Sequence, residues 1–159
     1  MEYRRAILAD AETVSVLESA SYPADEAASL DNIRKRISEA GEYFLLAHLL
    51  EDTKGEEQPE LAGFVNGTLT CSKELTHDSM YTHEPEGTTL CIHSVVVAPT
   101  LGRKGLGTKI LGAYLDMIKE KHKTIKEVRL ICKEYLQSFY KKAGFHLVGP
   151  SQVVHGQDK

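Results

Sequence analysis

The sequence predicts a mixed α/β layer domain, and three observations lead to it. Short apolar, β-branched runs and stretches with helical spacing succeed one another in the order β-α-α-β-β-β-α-β-α-β. A glycine-rich turn, Gly102 to Gly107, joins a β-branched run to a strongly amphipathic one. The chain has 159 residues, 42% of them hydrophobic and 26% charged, which is ordinary globular usage and enough to bury a real core in a single domain over residues 1–159.

The elements follow in order. Tyr3 to Leu8 reads as a first strand. Asp10 is placed to cap a helix running to about Ala20, with Val14 and Leu17 on its inner face. Tyr22-Pro23 breaks that run. Ser29 is placed to cap a second helix, in which Leu30, Ile33 and Ile37 stand three and four apart, and Gly41 ends it. Tyr43 to Leu50 and Leu61 to Thr70 read as strands, the second interrupted by Gly63 and Gly67, which mark a bulge or a close backbone approach. Residues 71–87 form a long polar loop, of a length that is usually functional or disordered. Thr88 to Ala98 is the next strand. After the glycine turn, Leu106, Ile110, Leu111, Tyr114, Leu115 and Ile118 form one helical stripe. Glu127 to Cys132 is a short strand, Tyr135 to Ala143 a short helix with Gly144 as its C-cap, and Phe145 to Val154 supplies one or two last strands around Gly149-Pro150.

Composition excludes several function classes. No apolar run approaches 18 residues, and the N-terminus MEYRRAILADAE lacks a signal-peptide core, which predicts a cytoplasmic protein without membrane contact. The formal net charge of −4 argues against nucleic acid as partner, and residues 51–60 (EDTKGEEQPE) alone supply that charge, as a solvated hairpin tip. Three cysteines, Cys71, Cys91 and Cys132, form no C-x-x-C pair and read as reduced, buried thiols. The scattered histidines match no zinc spacing, so no metal is expected.

The richest stretch is LCIHSVVVAPTLGRKGLGT, residues 90–108. A strand ending in Val95, Val96 and Val97 stops near Pro99, a basic glycine turn follows, and Thr108 opens the long helix. Unpaired N–H groups at a helix N-terminus converge on one point, which suits an anion such as a phosphate. Gly105 and Gly107 let the backbone approach that anion, and Arg103 and Lys104 add positive charge. No Gly-Lys-Ser/Thr follows, so this is not a P-loop, and the third glycine of a dinucleotide fingerprint is absent. His93 lies upstream on the same strand; a titratable ring next to a phosphate cradle suggests cofactor chemistry.

This strand-turn-helix resembles the signature of the GNAT superfamily of acetyl-CoA-dependent N-acetyltransferases, whose pattern is Gln/Arg-x-x-Gly-x-Gly/Ala. Gly105 and Gly107 match it, while Gly102 stands at the first position, with Arg103 one residue later. The stretches SYPADEAAS (21–29), KELTHDSMYTHEPEG (73–87), LCIHSVVV (90–97) and SFYKKAGFHLVGP (138–150) are similar, in order, to the arylalkylamine (serotonin-type) N-acetyltransferases and their polyamine-acetylating relatives.

The resemblance implies a twisted, mostly antiparallel mixed sheet of about six to seven strands, splayed at the cofactor site and flanked by about four helices. It implies acetyl-CoA as co-substrate and a small-molecule amine, arylalkylamine or polyamine, as acceptor. By the same resemblance, Val95, Val96 and Val97 pair with the pantetheine arm, and Arg103, Lys104, Gly105, Leu106, Gly107 and Thr108 hold the pyrophosphate. Tyr140, in FYKKAGF, lies near the cofactor sulfur and acts as acid. His93 is the second histidine of an H-x-H whose first position holds Cys91, so His93 or water acts as base. Tyr22, Pro23 and Cys91 fall to the substrate side. The resemblance implies a longer closing strand than the five residues after Val154 supply, so the chain is expected to stop short or to lean on a neighbour. A protein lysine or N-terminal acetyltransferase, and a non-catalytic acyl-CoA-binding module, are the competing readings.

Overall fold

The computed structural model describes residues 2–21, 28–49, 61–71, 82–99, 105–131 and 136–146. Its strands are β1 (Glu2–Arg5), β2 (Phe44–His48), β3 (Leu61–Thr70), β4 (Thr89–Val97) and β5 (Glu127–Leu130). Its helices are α1 (Ala11–Ser21), α2 (Leu30–Ala40), α3 (Leu106–Lys121) and α4 (Gln137–Lys142). The described strands form one five-stranded sheet in chain order, antiparallel throughout except for the parallel β4–β5 pair. The parallel step is the one that α3 spans, as a parallel crossover requires. The predicted strands after Phe145 lie almost wholly outside the described residues, so the expected six to seven strands stand at five here.

The sheet is covered on both faces. Against one face, α3 buries Ile110, Leu111, Tyr114 and Ile118 on Leu45, Ala47, Val65, Leu69, Leu90 and Ile92. Against the other, α1 and α2 bury Val14, Ile33 and Ile37 on Phe44, Leu46, Leu61, Phe64 and Val96. Tyr114 anchors α3 by donating its hydroxyl to the Tyr43 carbonyl at 2.8 Å. Each fully buried Leu or Ile contributes roughly 1.5–3 kcal/mol, so these two layers hold the sheet.

Two β-bulges interrupt the ladders. Ala47 pairs with Gly63 and His48 with Leu61, which leaves Ala62 as an extra residue of β3. Asn66 pairs with Ser94 and Gly67 with Ile92, which makes His93 the extra residue of β4. Each bulge reverses the alternation. Leu90 and Ile92 face α3 before His93, and after it the odd-numbered Val95 and Val97 pack toward the same face.

Gly63 and Gly67, read from sequence as bulge or close-approach signals, serve as both. A Cβ on Gly63 would lie 2.3 Å from the Val96 carbonyl oxygen, and one on Gly67 would lie 2.6 Å from that of Cys91. The predicted Ser29 cap is present, its hydroxyl accepting from the Asn32 N–H at 3.1 Å. Gly144 follows α4 with φ +104, the left-handed geometry expected of a helix stop.

Several expectations shift. The first strand ends at Arg5, because Leu8–Asp10 wind into a 3-10 turn. Asp10 does not reach forward to cap α1. Its carboxylate accepts from the Ile7 N–H at 2.8 Å and from the Arg4 guanidinium at 2.9 and 2.6 Å. The Arg4 hydrogen bonds, opposed in part by burial, hold the Asp10 carboxyl below its usual range. Cys71 is exposed rather than buried, since the chain leaves the sheet after Thr70; Cys91 is buried as expected, and Cys132 lies outside the described residues.

Candidate functional site

The site begins at the β4 bulge. The extra residue is His93, half-buried, with its Nε2 2.8 Å from the hydroxyl of Thr68 on β3. A bulge re-aims the side chain it carries, and the Thr68 contact fixes the ring. Thr68 belongs to a buried polar row on β3, with Asn66 at 1%, Thr68 at 4% and Thr70 at 0% exposure. Buried polar groups of this kind are held by hydrogen bonds. The sequence carried the signal: Asn66, Thr68 and Thr70 stand two apart in an otherwise apolar strand, and our reading of the sequence missed it.

Beyond the bulge β4 loses one neighbour. The parallel ladder with β5 stops at the Ile92–Leu130 pair, while β4 stays paired with β3 through Val95, Val96 and Val97. Among the described residues, the β5-facing edge of Val95 to Val97 carries no ladder. Peptide groups along such an edge are open to an extended ligand with amides of its own. The resemblance implied a sheet splayed at the cofactor site, and among the described residues the β4–β5 ladder ends at this point.

At the end of that edge stands the N-terminus of α3. Gly105 occupies the N-cap in left-handed geometry, φ +72, with no side-chain cap on the first amides. Leu106, Gly107 and Thr108 form the first turn. The opening amides of a helix lack intrahelical partners and carry its positive end. α4 closes against this turn. A Cβ on Gly107 would lie 3.3 Å from the Phe139 ring and 3.5 Å from Val97 Cγ2, so strand end, glycine turn and α4 meet at one place. Tyr140, next to Phe139, is held edge-on between the Phe139 and Phe145 rings, with centroids 5.0 and 5.8 Å away. The structure thus gathers Val97, Gly107 and the Tyr140 helix, and sets His93 four residues up the same strand. Arg103, Lys104, Tyr22 and Pro23 lie outside the described residues.

The sequence matches the acetyltransferase (GNAT) domain family over residues 11–158. The chain belongs to that GNAT family. Serotonin N-acetyltransferase of Mesocricetus auratus is 33% identical over 100 residues, 63% of this chain and 48% of that protein. The corresponding enzyme of Macaca mulatta is 28% identical over the same shares. The chain therefore spans about half the length of the curated relatives it matches. Among solved structures, a GNAT-like decarboxylase in complex with isobutyryl-CoA superposes with TM-score 0.70 at 19% identity, covering 89% of this chain and 72% of that one. Glucosamine-6-phosphate N-acetyltransferase of Arabidopsis thaliana superposes with TM-score 0.64 at 17% identity and 97% coverage of both chains. At those identities the superpositions establish the GNAT fold.

Within this GNAT domain, Cys91 holds the first position of the H-x-H resemblance. It lies on β4, fully buried, and burial pushes its thiol up to about 12 despite the opposing Arg36 charge. A thiol that stays protonated at neutral pH takes up no proton there, so the first position of the H-x-H resemblance carries no base in this chain. Stability follows from the sign of the shift. The unfolded thiol ionises near its ordinary value and the folded one only near 12, so its contribution is complete below pH ~9 and lost as pH rises toward 12. Cys91→Ala should therefore flatten the loss of melting temperature above pH ~9, a slope of about 1.4 kcal/mol per pH unit. It should leave any neutral-pH activity profile unmoved, which pH-dependent calorimetry and a rate profile would check.

His83 is held in place in the loop before β4. Its Nδ1 accepts from the Leu69 N–H at 3.0 Å, and its ring lies 5.8 Å from that of Tyr43. Burial lowers its pKa, opposed by Glu39, Glu42 and Glu86. His77 lies outside the described residues.

Proposed function

We propose that this protein is an acetyl-CoA-dependent amine N-acetyltransferase acting on a small-molecule primary amine, arylalkylamine or polyamine. The observation that carries the reading is the arrangement along β4: a histidine in a bulge, then an open strand edge, then an uncapped helix N-terminus where that edge ends. These features fit an acyl-CoA. The edge of Val95, Val96 and Val97 suits the amides of its arm, and Gly105, Leu106, Gly107 and Thr108, with Arg103 and Lys104 before them, suit its pyrophosphate.

The chemical task is deprotonation. An alkylamine with a pKa near ~10.4 reaches its nucleophilic neutral form at pH 7 at a cost of roughly 4–5 kcal/mol. His93, alone or through water, takes the ammonium proton. The amine nitrogen then bonds to the acetyl carbon as the carbon–sulfur bond breaks. The Val95 N–H steadies the developing oxyanion, and the Tyr140 hydroxyl gives the thiolate its proton, which the proton released by the acylated nitrogen replaces through solvent. Cys91 on the substrate side contributes shape and no proton, and the family resemblance assigns Tyr22 and Pro23 to that side as well.

The test is thiol release from acetyl-CoA in the presence of tryptamine, phenethylamine, spermidine or a lysine peptide. Release with one of the small amines is the expected result. Release with the peptide alone would move the protein to the lysine or N-terminal acetyltransferases. Binding of CoA without release from any acceptor would make it an acyl-CoA-binding module.

A further inference from the structure

Among the described residues, Glu18 is the most deeply buried charged side chain, at 1% exposure on the inner face of α1. It stands one turn after the buried Val14, a position that a leucine would fill. Burying a carboxyl group is costly unless it is fully hydrogen-bonded, and replacing such polar groups by apolar ones of similar size is often neutral or stabilising. Packing alone therefore gives no reason for an acid at this position.

Its two oxygens point to one. Oε2 accepts from the N–H of Ala28 at 2.5 Å, and Oε1 accepts from the hydroxyl of Ser94 at 2.8 Å. Ala28 immediately precedes Ser29, the cap of α2. Ser94 immediately follows His93 on β4. A second link descends from α2: Arg36 Nη1 donates to Asn66 Oδ1 at 3.4 Å. Asn66 and Ser94 are cross-strand partners, so both links end on the single pair of residues beside the bulge.

We propose that Glu18 is a positioning residue for the acceptor amine. Through Ala28 and Ser94 it fixes the distance between the start of α2 and the strand residue that flanks His93. The inference rests on the acetyltransferase reading above, with His93 facing the acceptor. It assigns Glu18 no proton transfer. The side chain acts by holding two backbone segments at one spacing, so that an amine bound on the α1–α2 face meets the imidazole at a fixed reach.

Three variants separate this role from others. Glu18→Leu keeps the volume and removes both hydrogen bonds. Glu18→Gln keeps an oxygen for Ala28 and an amide for Ser94, whose hydroxyl can accept. Ser94→Ala removes one arm and serves if Glu18→Leu fails to fold. Expected for Glu18→Leu is a rise in the amine KM of tenfold or more, with the KM for acetyl-CoA unchanged and the pH profile unmoved in shape. Ser94→Ala should give part of that rise, and Glu18→Gln should recover most of the wild-type KM. Amide hydrogen exchange adds a readout independent of turnover: Ala28 should exchange faster in Glu18→Leu while Ile110 and Leu111 in α3 stay protected. An unchanged amine KM in both Glu18→Leu and Ser94→Ala would overturn the proposal. So would a Glu18→Gln variant as impaired as Glu18→Leu with a flattened pH profile, which would make Glu18 a proton carrier. If the wild type acetylates no amine, the functional reading falls, and unchanged Ala28 exchange would then reject the tie itself.

Discussion

Replacing His93 by alanine is expected to lower acetyl transfer by about 10²–10⁴-fold at neutral pH, the usual contribution of a placed general base. The bulge gives this side chain its aim and Thr68 holds its ring, so no other described residue of β4 takes over. The Cys91 thiol, raised to about 12 by burial, is no substitute. The loss should depend on pH with a definite sign. On the proposed reading, the neutral His93 imidazole of the wild type accepts the proton. In the variant the amine loses its proton to solvent, which becomes easier with each unit toward ~10.4. The wild-type advantage should shrink as pH rises, and variant and wild-type profiles running parallel from pH 6 to 10 would reject His93 as base.

Gly67→Ala should have a large destabilising effect. A Cβ there would lie 2.6 Å from the Cys91 carbonyl oxygen, 3.0 Å from Leu90 Cδ1 and 3.1 Å from the Tyr114 hydroxyl. The nearest of these is main chain and cannot swing aside, so β3 and β4 must part beside the bulge. Overpacking of this kind costs about 3 kcal/mol, or roughly 6–12 °C of melting temperature for a domain of this size. Gly112 in the middle of α3 is the opposite case, since nothing lies within 4 Å of a Cβ there. Gly112→Ala should raise stability by about 0.5–1 kcal/mol, as helix propensity dictates. Thermal unfolding of the pair checks both signs, and equal melting temperatures would refute the close-approach argument.

The contrast shows what a sequence can and cannot convey. The β3 limits, Leu61 to Thr70, were legible because an apolar and β-branched run stands between an acidic turn and a long polar loop, even though Gly63 and Gly67 interrupt it. The α3 stripe and the Ser29 cap were legible for the same local reasons. The cofactor-side turn was readable because glycine spacing is itself the geometry. Asp10 misled because its strongest partner, Arg4, lies behind it in another element, and a local capping rule does not see that guanidinium. Glu18, Ser94 and Thr68 were invisible for a related reason. Their meaning lies in bonds that join residues 76 and 25 positions apart. Periodicity reports which face a residue occupies. It does not report what waits across that face.

The His93 bulge also says something about how little separates a plain sheet from a reactive one. Leu90 and Ile92 before it, and Val95 and Val97 after it, face the same helix. A chain missing only His93 would restore unbroken alternation through those four residues, keep every one of those apolar neighbours, and close the β3–β4 ladder without interruption. The proton acceptor proposed for this domain is thus a single inserted residue, one that a one-codon change adds to or removes from an otherwise regular strand pair.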